Sequence, residues 1–325
     1  MSNNFTYNNK SIIISGSGNF DDRESDNSVN VTFSKSFDDN ISHDNISVVA
    51  IADTDYPDPD YDYTEYVICF QILDICNNGF NIIANKKIAA YSNEGGPYYG
   101  SFHYIAAFYD DNINNPLNIN DKPLFVCDNS YMDSSNTNDV YTTIIFPNDI
   151  HFGTTDISIV ATATATDGVT LTNMVGLTIN NITKTGFDIT GYLKDGRDGD
   201  DGGYAYTGNF TYIATPYTNS YTDASGNFFL YDNYNIIQDG SGNCNDSGEC
   251  TIEYTQPFNT NNIKTIITAK FTDGYATSDL ISFIITDQTS LSFTTIGNIK
   301  DGRYGEDGGI PYKNGLFNYI SIAMS

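Results

Sequence analysis

Tryptophan is missing from the 325 residues, and positive charge is scarce. Only 14 lysines and arginines stand against 41 aspartates and glutamates, a formal net charge of -27. Such a surface repels phosphate backbones and anionic lipid, so neither nucleic acid nor a membrane surface suits it as a partner. No run of residues approaches the roughly 18 apolar positions of a membrane-spanning helix, so membrane insertion is not expected. The opening stretch from Met1 to Lys10 lacks a charged start followed by an apolar core, and it does not read as a secretory signal peptide. The expectation is a protein made in a cytosol. It would stay there, or leave by an unconventional route such as assembly into a virus particle.

Cysteine is sparse too, at five, which is too few and too scattered for a disulfide framework. Cys69 and Cys76 share one apolar run and read as buried thiols, and Cys127 stands alone. Cys244 and Cys250 bracket the turn-like stretch 245–249, so they are the pair placed to form a disulfide in oxidising surroundings. The three histidines, His43, His103 and His151, lie far from one another and from any cysteine pair, which argues against zinc. No convincing helical period appears. No phosphate loop, dinucleotide fingerprint or nucleophile motif appears either, so the chain does not read as an enzyme.

What remains is rich in short apolar runs of β-branched and aromatic residues, separated by clusters of Asn, Asp, Gly and Ser. That spacing predicts an all-β sandwich or barrel. One stretch recurs: G-F-x-I, a Gly-rich acidic loop, then F-x-Y-I. It runs from Gly79-Phe80-Asn81-Ile82 to Phe102-His103-Tyr104-Ile105, and again from Gly186-Phe187-Asp188-Ile189 to Phe210-Thr211-Tyr212-Ile213. A looser copy runs from Ser292-Phe293-Thr294 to Phe317-Asn318-Tyr319-Ile320. Phe80 and Phe187 are 107 residues apart, Phe187 and Phe293 are 106 apart. A solenoid unit is about 20–50 residues, so this period means three whole domains. They are placed at 1–112, 113–220 and 221–325. The polar stretches at the two boundaries are too short to act as flexible tethers, so the domains should abut.

Upstream of each repeat lie an alternating strand ending in a Phe and a strand of the type I-x-V-V-A, such as 29–33 and 46–51. Residues 140–146 and 157–163 answer them in the second domain. In the third, 250–254 and 263–269 hold these places, and 280–285 is the next apolar strand. The acidic segment 53–63 contains prolines and reads as a surface loop. This order resembles the H-type lectin domain, the fold of snail agglutinins and of the C-terminal part of slime-mould discoidins. The resemblance implies three tandem antiparallel β-sandwiches of about six strands each, a tendency to form homotrimers, and binding of N-acetylgalactosamine-like sugars. Viral fibres and spikes also use this fold, and a multi-domain version without a signal peptide resembles those most. The leading expectation is therefore a virion surface protein, made in host cytoplasm, that meets other virion structural proteins and host glycans. A cellular discoidin-like lectin and a purely architectural module stay open beside it.

The loop before each last strand carries the most unusual chemistry. In the second domain it holds Asp195, Arg197, Asp198, Asp200, Asp201 and Tyr204. In the third it holds Asp301, Arg303, Tyr304, Glu306 and Asp307. Carboxylates beside an aromatic face and guanidinium donors suit glycan capture. The same carboxylates, above all Asp198, Asp200, Asp201, Glu306 and Asp307, could wrap Ca²⁺, which takes six to eight oxygens. The plain alternative is a solvated hairpin loop whose glycines supply positive φ angles. No other cofactor is implied.

Overall fold

The computed structural model describes residues 3–7, 10–20, 28–53, 66–88, 95–109, 118–119, 122–123, 125–133, 141–147, 150–164, 172–195, 203–216, 230–231, 234–235, 237–275, 279–301 and 310–323. Each repeat supplies six principal strands. The first gives β1 (Lys10–Asn19), β2 (Ser28–Thr32), β3 (Ile46–Asp53), β4 (Tyr66–Cys76), β5 (Gly79–Ile88) and β6 (Ser101–Phe108). The second gives β7 (Val126–Met132), β8 (Tyr141–Ile145), β9 (Ile157–Thr164), β10 (Asn173–Thr183), β11 (Gly186–Asp195) and β12 (Gly208–Pro216). The third gives β13 (Ile237–Asn243), β14 (Glu249–Glu253), β15 (Ile263–Lys270), β16 (Asp279–Gln288), β17 (Ser292–Asp301) and β18 (Leu316–Ala323). A short 3₁₀ turn at His43–Asn45 leads into β3. The domain boundaries near 112 and 220 fall outside the described residues.

Within a repeat the pairing is antiparallel. The first, sixth and third strands form one half-sheet, and the fourth, fifth and second form the other. The two halves face each other across an apolar core, as the alternation of side chains along a strand requires. In the first repeat that core holds Ile14, Val31, Val48, Phe70, Phe80 and Tyr104, among others. The recurring motifs explain themselves here. Phe80 stacks edge-on against Tyr104 at 5.1 Å, Phe187 against Tyr212 at 5.1 Å, and Phe293 against Tyr319 at 5.1 Å. A second edge-on pair repeats as Phe33–Phe37, Phe146–Phe152 and Tyr254–Phe258. Each such pair is worth about 0.5–1.5 kcal/mol beyond its buried area. Glycine opens the first two G-F-x-I strands because the chain passes close to a neighbour. A Cβ on Gly79 would stand 1.9 Å from the Val31 carbonyl oxygen, and one on Gly186 2.0 Å from that of Ile144.

The half-sheets do not end at the repeat. The fourth strand of each repeat pairs in parallel with the third strand of the next, and the last repeat joins the first. Strand β4 meets β9 (Gln71↔Ala163, Ile72↔Thr164), β10 meets β15 (Thr178↔Ala269, Ile179↔Lys270), and β16 meets β3 (Ile284↔Ala52, Ile285↔Asp53). Three large sheets result, each mixed and each built from two repeats. The three sandwiches therefore close into a ring within one chain.

Ring closure buries the third and sixth strands on both faces. In β6, Phe102, Tyr104 and Ala106 fill the core of the first sandwich. Ile105 and Ala107 turn the other way and meet Val160, Ile213, Ile266 and Ile320 of the other repeats along a common axis. Polar side chains on this axial face bond across the repeats. Ala50 N–H donates to Thr162 Oγ1 (3.1 Å), and Ala161 N–H donates to Thr268 Oγ1 (2.9 Å). Asp53 corrects the sequence reading. It is not the start of a surface loop but the buried end of β3, 7 % exposed. It lies at the seam between the third and first repeats, within 2.8 Å of His103 Nε2. The Lys264 ammonium stands 3.3 Å from the same nitrogen. The rest of the acidic segment lies outside the described residues. Cys76 is also corrected: it sits at the exposed end of β4, while Cys69 is buried.

Candidate functional site

Each parallel seam ends at the surface, where the third strand of one repeat leaves the fourth strand of its neighbour. At the seam between the second and third repeats this opening is a cleft of about 300 Å³, at the lower end of ligand-pocket sizes. Asp156 and Thr155, just before β9, form one wall, and Asn180, Asn181 and Ile182 at the end of β10 form another. Lys270, the last residue of β15, and Phe271 close it from the third repeat. The Phe271 N–H donates to the Ile179 carbonyl at 2.8 Å, fixing the backbone of Phe271 at the cleft.

The local sequence dictates this shape. Strand β10 bulges between Asn180 and Thr183, and Asn181 takes a left-handed φ of 43°, which asparagine tolerates better than most residues. Its side-chain amide donates to Asp188 Oδ2 at 2.7 Å, and its backbone N–H donates to Asn180 Oδ1 at 2.8 Å. Lys270 is half-buried. Desolvation pulls its ammonium below the ordinary lysine range, and the nearby Asp156 carboxylate offsets part of that fall. The cleft thus offers one carboxylate, one ammonium, two amides, a hydroxyl and an aromatic ring. That set can hydrogen-bond a polyhydroxylated ligand and cover one apolar face of it.

A buried tyrosine pins each seam from behind. Tyr98 OH donates to the Ser101 carbonyl (2.7 Å) and the Asp53 carbonyl (3.3 Å). Tyr206 OH donates to Asn209 (2.6 Å) and Thr164 (3.1 Å), and Tyr312 OH to Lys270 (2.8 Å) and Leu316 (3.3 Å). The same hydroxyl therefore ties the start of the sixth strand to the seam residue in all three repeats. That residue is Asp53, Thr164 or Lys270. The backbone is common to the three seams, but the side chains offered are a carboxylate, a hydroxyl and an ammonium.

Of the ligand residues picked from the sequence, three lie within the described residues, Asp195, Tyr204 and Asp301, and none of these lines the cleft. Asp195 is half-buried at the end of β11, and its carbonyl accepts a hydrogen bond from Lys87 Nζ at 3.1 Å. Tyr204 is 58 % exposed, on a two-residue strand opposite Leu193. Asp301 ends β17, and its side chain lies outside the described residues. Arg197, Asp198, Asp200, Asp201, Arg303, Tyr304, Glu306 and Asp307 lie outside them altogether. Among the described residues no group of three or more His, Cys, Asp or Glu side chains could hold a metal ion. Cys244 and Cys250 are both buried free thiols that flank a turn closed by Asn245 N–H to Glu249 carbonyl at 2.8 Å. Burial pushes the Cys244 thiol up to about 12, with Cys250 adding to the rise. The cleft residues escaped the sequence reading because nothing in a linear pattern says which strand meets the next repeat.

Comparison with known proteins gives no match: no family model fits the chain, and neither a curated protein nor a solved structure is significantly similar to it. The class defined by the chain itself is a three-repeat, all-β sandwich protein.

Proposed function

We propose that the chain is a non-enzymatic, lectin-like attachment protein whose glycan site is the cleft between the second and third repeats. The observation that carries this reading is the polar and aromatic lining of that cleft by Asp156, Asn180, Asn181, Lys270 and Phe271. The H-type lectin resemblance supports it from the side of the sequence. A place on a virion surface, as part of a fibre, spike or capsid-associated layer among other virion structural proteins, is the setting we propose. It fits an acidic surface and a chain with three-fold repetition. Homotrimers of the chain, which the resemblance implies, would multiply weak single sites through multivalency. Light scattering decides that point: a monodisperse 35.8 kDa species at micromolar concentration removes it.

The test of the whole reading is a glycan array probed with the full chain, first with calcium and then with a chelator. Binding that Asp156→Ala weakens roughly tenfold, the size of one lost charge-assisted hydrogen bond, supports the cleft. Loss of binding on chelation would assign calcium to the acidic Gly-rich loops. No binding at high protein concentration would leave the architectural reading. Detection of the protein in purified particles separates the virion setting from a cellular, discoidin-like lectin.

A further inference from the structure

A cavity of about 60 Å³ lies where the third and fourth strands of all three repeats meet. Backbone N–H groups point into this region, away from their antiparallel partners, in two sets of three. In the first set, Ala50 N–H donates to Thr162 Oγ1 and Ala161 N–H donates to Thr268 Oγ1. Ile267 holds the third place: it is opposite Tyr319 as Ala50 is opposite Tyr104 and Ala161 opposite Tyr212. The residue that answers Thr162 and Thr268 there is Ile51, whose side chain has no acceptor. In the second set, Ile68 N–H donates to Ser282 Oγ at 2.9 Å, and the Val175 backbone hydrogen-bonds the Cys69 sulfur. Ile281 holds the third place, and the residue that answers Cys69 and Ser282 is Gly176. A Cβ on Gly176 would stand 3.5 Å from Ile281 N, so the strand faces this nitrogen with no side chain to offer. The same Cβ would press on Leu280, 2.9 Å from Cδ2 and 3.1 Å from Cα, which leaves little room for a serine.

Ile51, Gly176, Ile267 and Ile281 all line the cavity, and Ile267 and Ile281 are 7 % and 9 % exposed. A buried N–H left without an acceptor is costly, and buried water meets such groups where space allows. One water needs roughly 10–15 Å³ of such space, so the cavity admits more than one. The lining also selects among occupants. In an antiparallel pair, a residue whose N–H points away from its partner points its carbonyl away too. The Ile267 and Ile281 carbonyls therefore share a side with their N–H groups. Carbonyl oxygens repel an anion, whereas water both accepts from the N–H and donates to the carbonyl.

We propose that this central cavity is a structural water site. Ordered water accepts the Ile267 and Ile281 N–H groups and completes, at the two odd positions, the bonds that Thr162, Thr268, Ser282 and Cys69 make at the other four. The inference is independent of the glycan site. The experiment is a high-resolution crystal structure of the full chain. It should show water oxygen about 2.7–3.2 Å from both Ile267 N and Ile281 N. Electron density without water at either nitrogen overturns the proposal. Crystals of Ile51→Thr supply the second arm, because the new hydroxyl stands where Thr162 and Thr268 hold theirs. It should take over the Ile267 N–H and remove the water there, while the water at Ile281 stays. Loss of both waters, or retention of both, overturns the assignment of one to each donor set. Should I51T not fold, the native crystal decides alone.

Discussion

Tyr98, Tyr206 and Tyr312 show how much one atom can fix. Each hydroxyl shares its single proton between two carbonyls, one at a seam and one at the start of a sixth strand. Tyr312→Phe should cost about 1–3 kcal/mol, since it leaves buried acceptors without their donor. It should also loosen the backbone of Lys270 and with it the cleft. Chemical denaturation reads the first effect; an unchanged midpoint would show that water takes over both bonds. The thiols give a second residue-scale prediction. Burial raises Cys69 to about 12 and Cys244 to about 12, from 9.0. Below pH 9 both states keep these protons, so stability is unaffected. Above it the unfolded chain loses them first, and stability should fall as pH climbs toward 12. Melting curves across that range test the sign. At neutral pH a chromogenic thiol reagent should titrate Cys76 in the native chain and reach the four buried thiols only on unfolding.

At the scale of strands, the seams rest on few groups. Thr162 and Thr268 each accept a backbone N–H from the preceding repeat, whereas the matching place at the third seam is Ile51. Thr268→Val should therefore cost about 0.5–1.5 kcal/mol by removing the acceptor of the half-buried Ala161 N–H. Unfolding in urea would show whether it does. Much of this level was legible in advance. Alternation and the recurring aromatic residues marked the third, fifth and sixth strands of every repeat, because those strands bury regular apolar faces. Strands β7 and β13 were not legible: Val126–Met132 carries Asp128, Asn129 and Ser130 in its middle, and Ile237–Asn243 is polar or glycine throughout after Ile237, so neither shows an apolar alternation. Nor were the seams, since a parallel contact two residues long leaves no periodic trace. The candidate site inherits that blindness. Acidic loops stand out in a sequence, but Asp156 and Lys270, 114 positions apart, become neighbours only through the seam between the second and third repeats.

For the whole molecule, shared sheets make the repeats interdependent. A fragment of residues 1–112 would lack the strands that complete both its half-sheets and would expose its axial face. It should aggregate or remain unfolded, as judged by circular dichroism and light scattering. The intact chain should melt in a single calorimetric transition, and three resolved transitions would mean that the seams couple the repeats weakly.

The seam positions Asp53, Thr164 and Lys270 also bear on inheritance. In an assembly of identical subunits, any change is written at every corner simultaneously. Here the three corners are separate codons. One can drift toward a new partner while the other two keep what they already do, and the ring that joins them need never be redrawn.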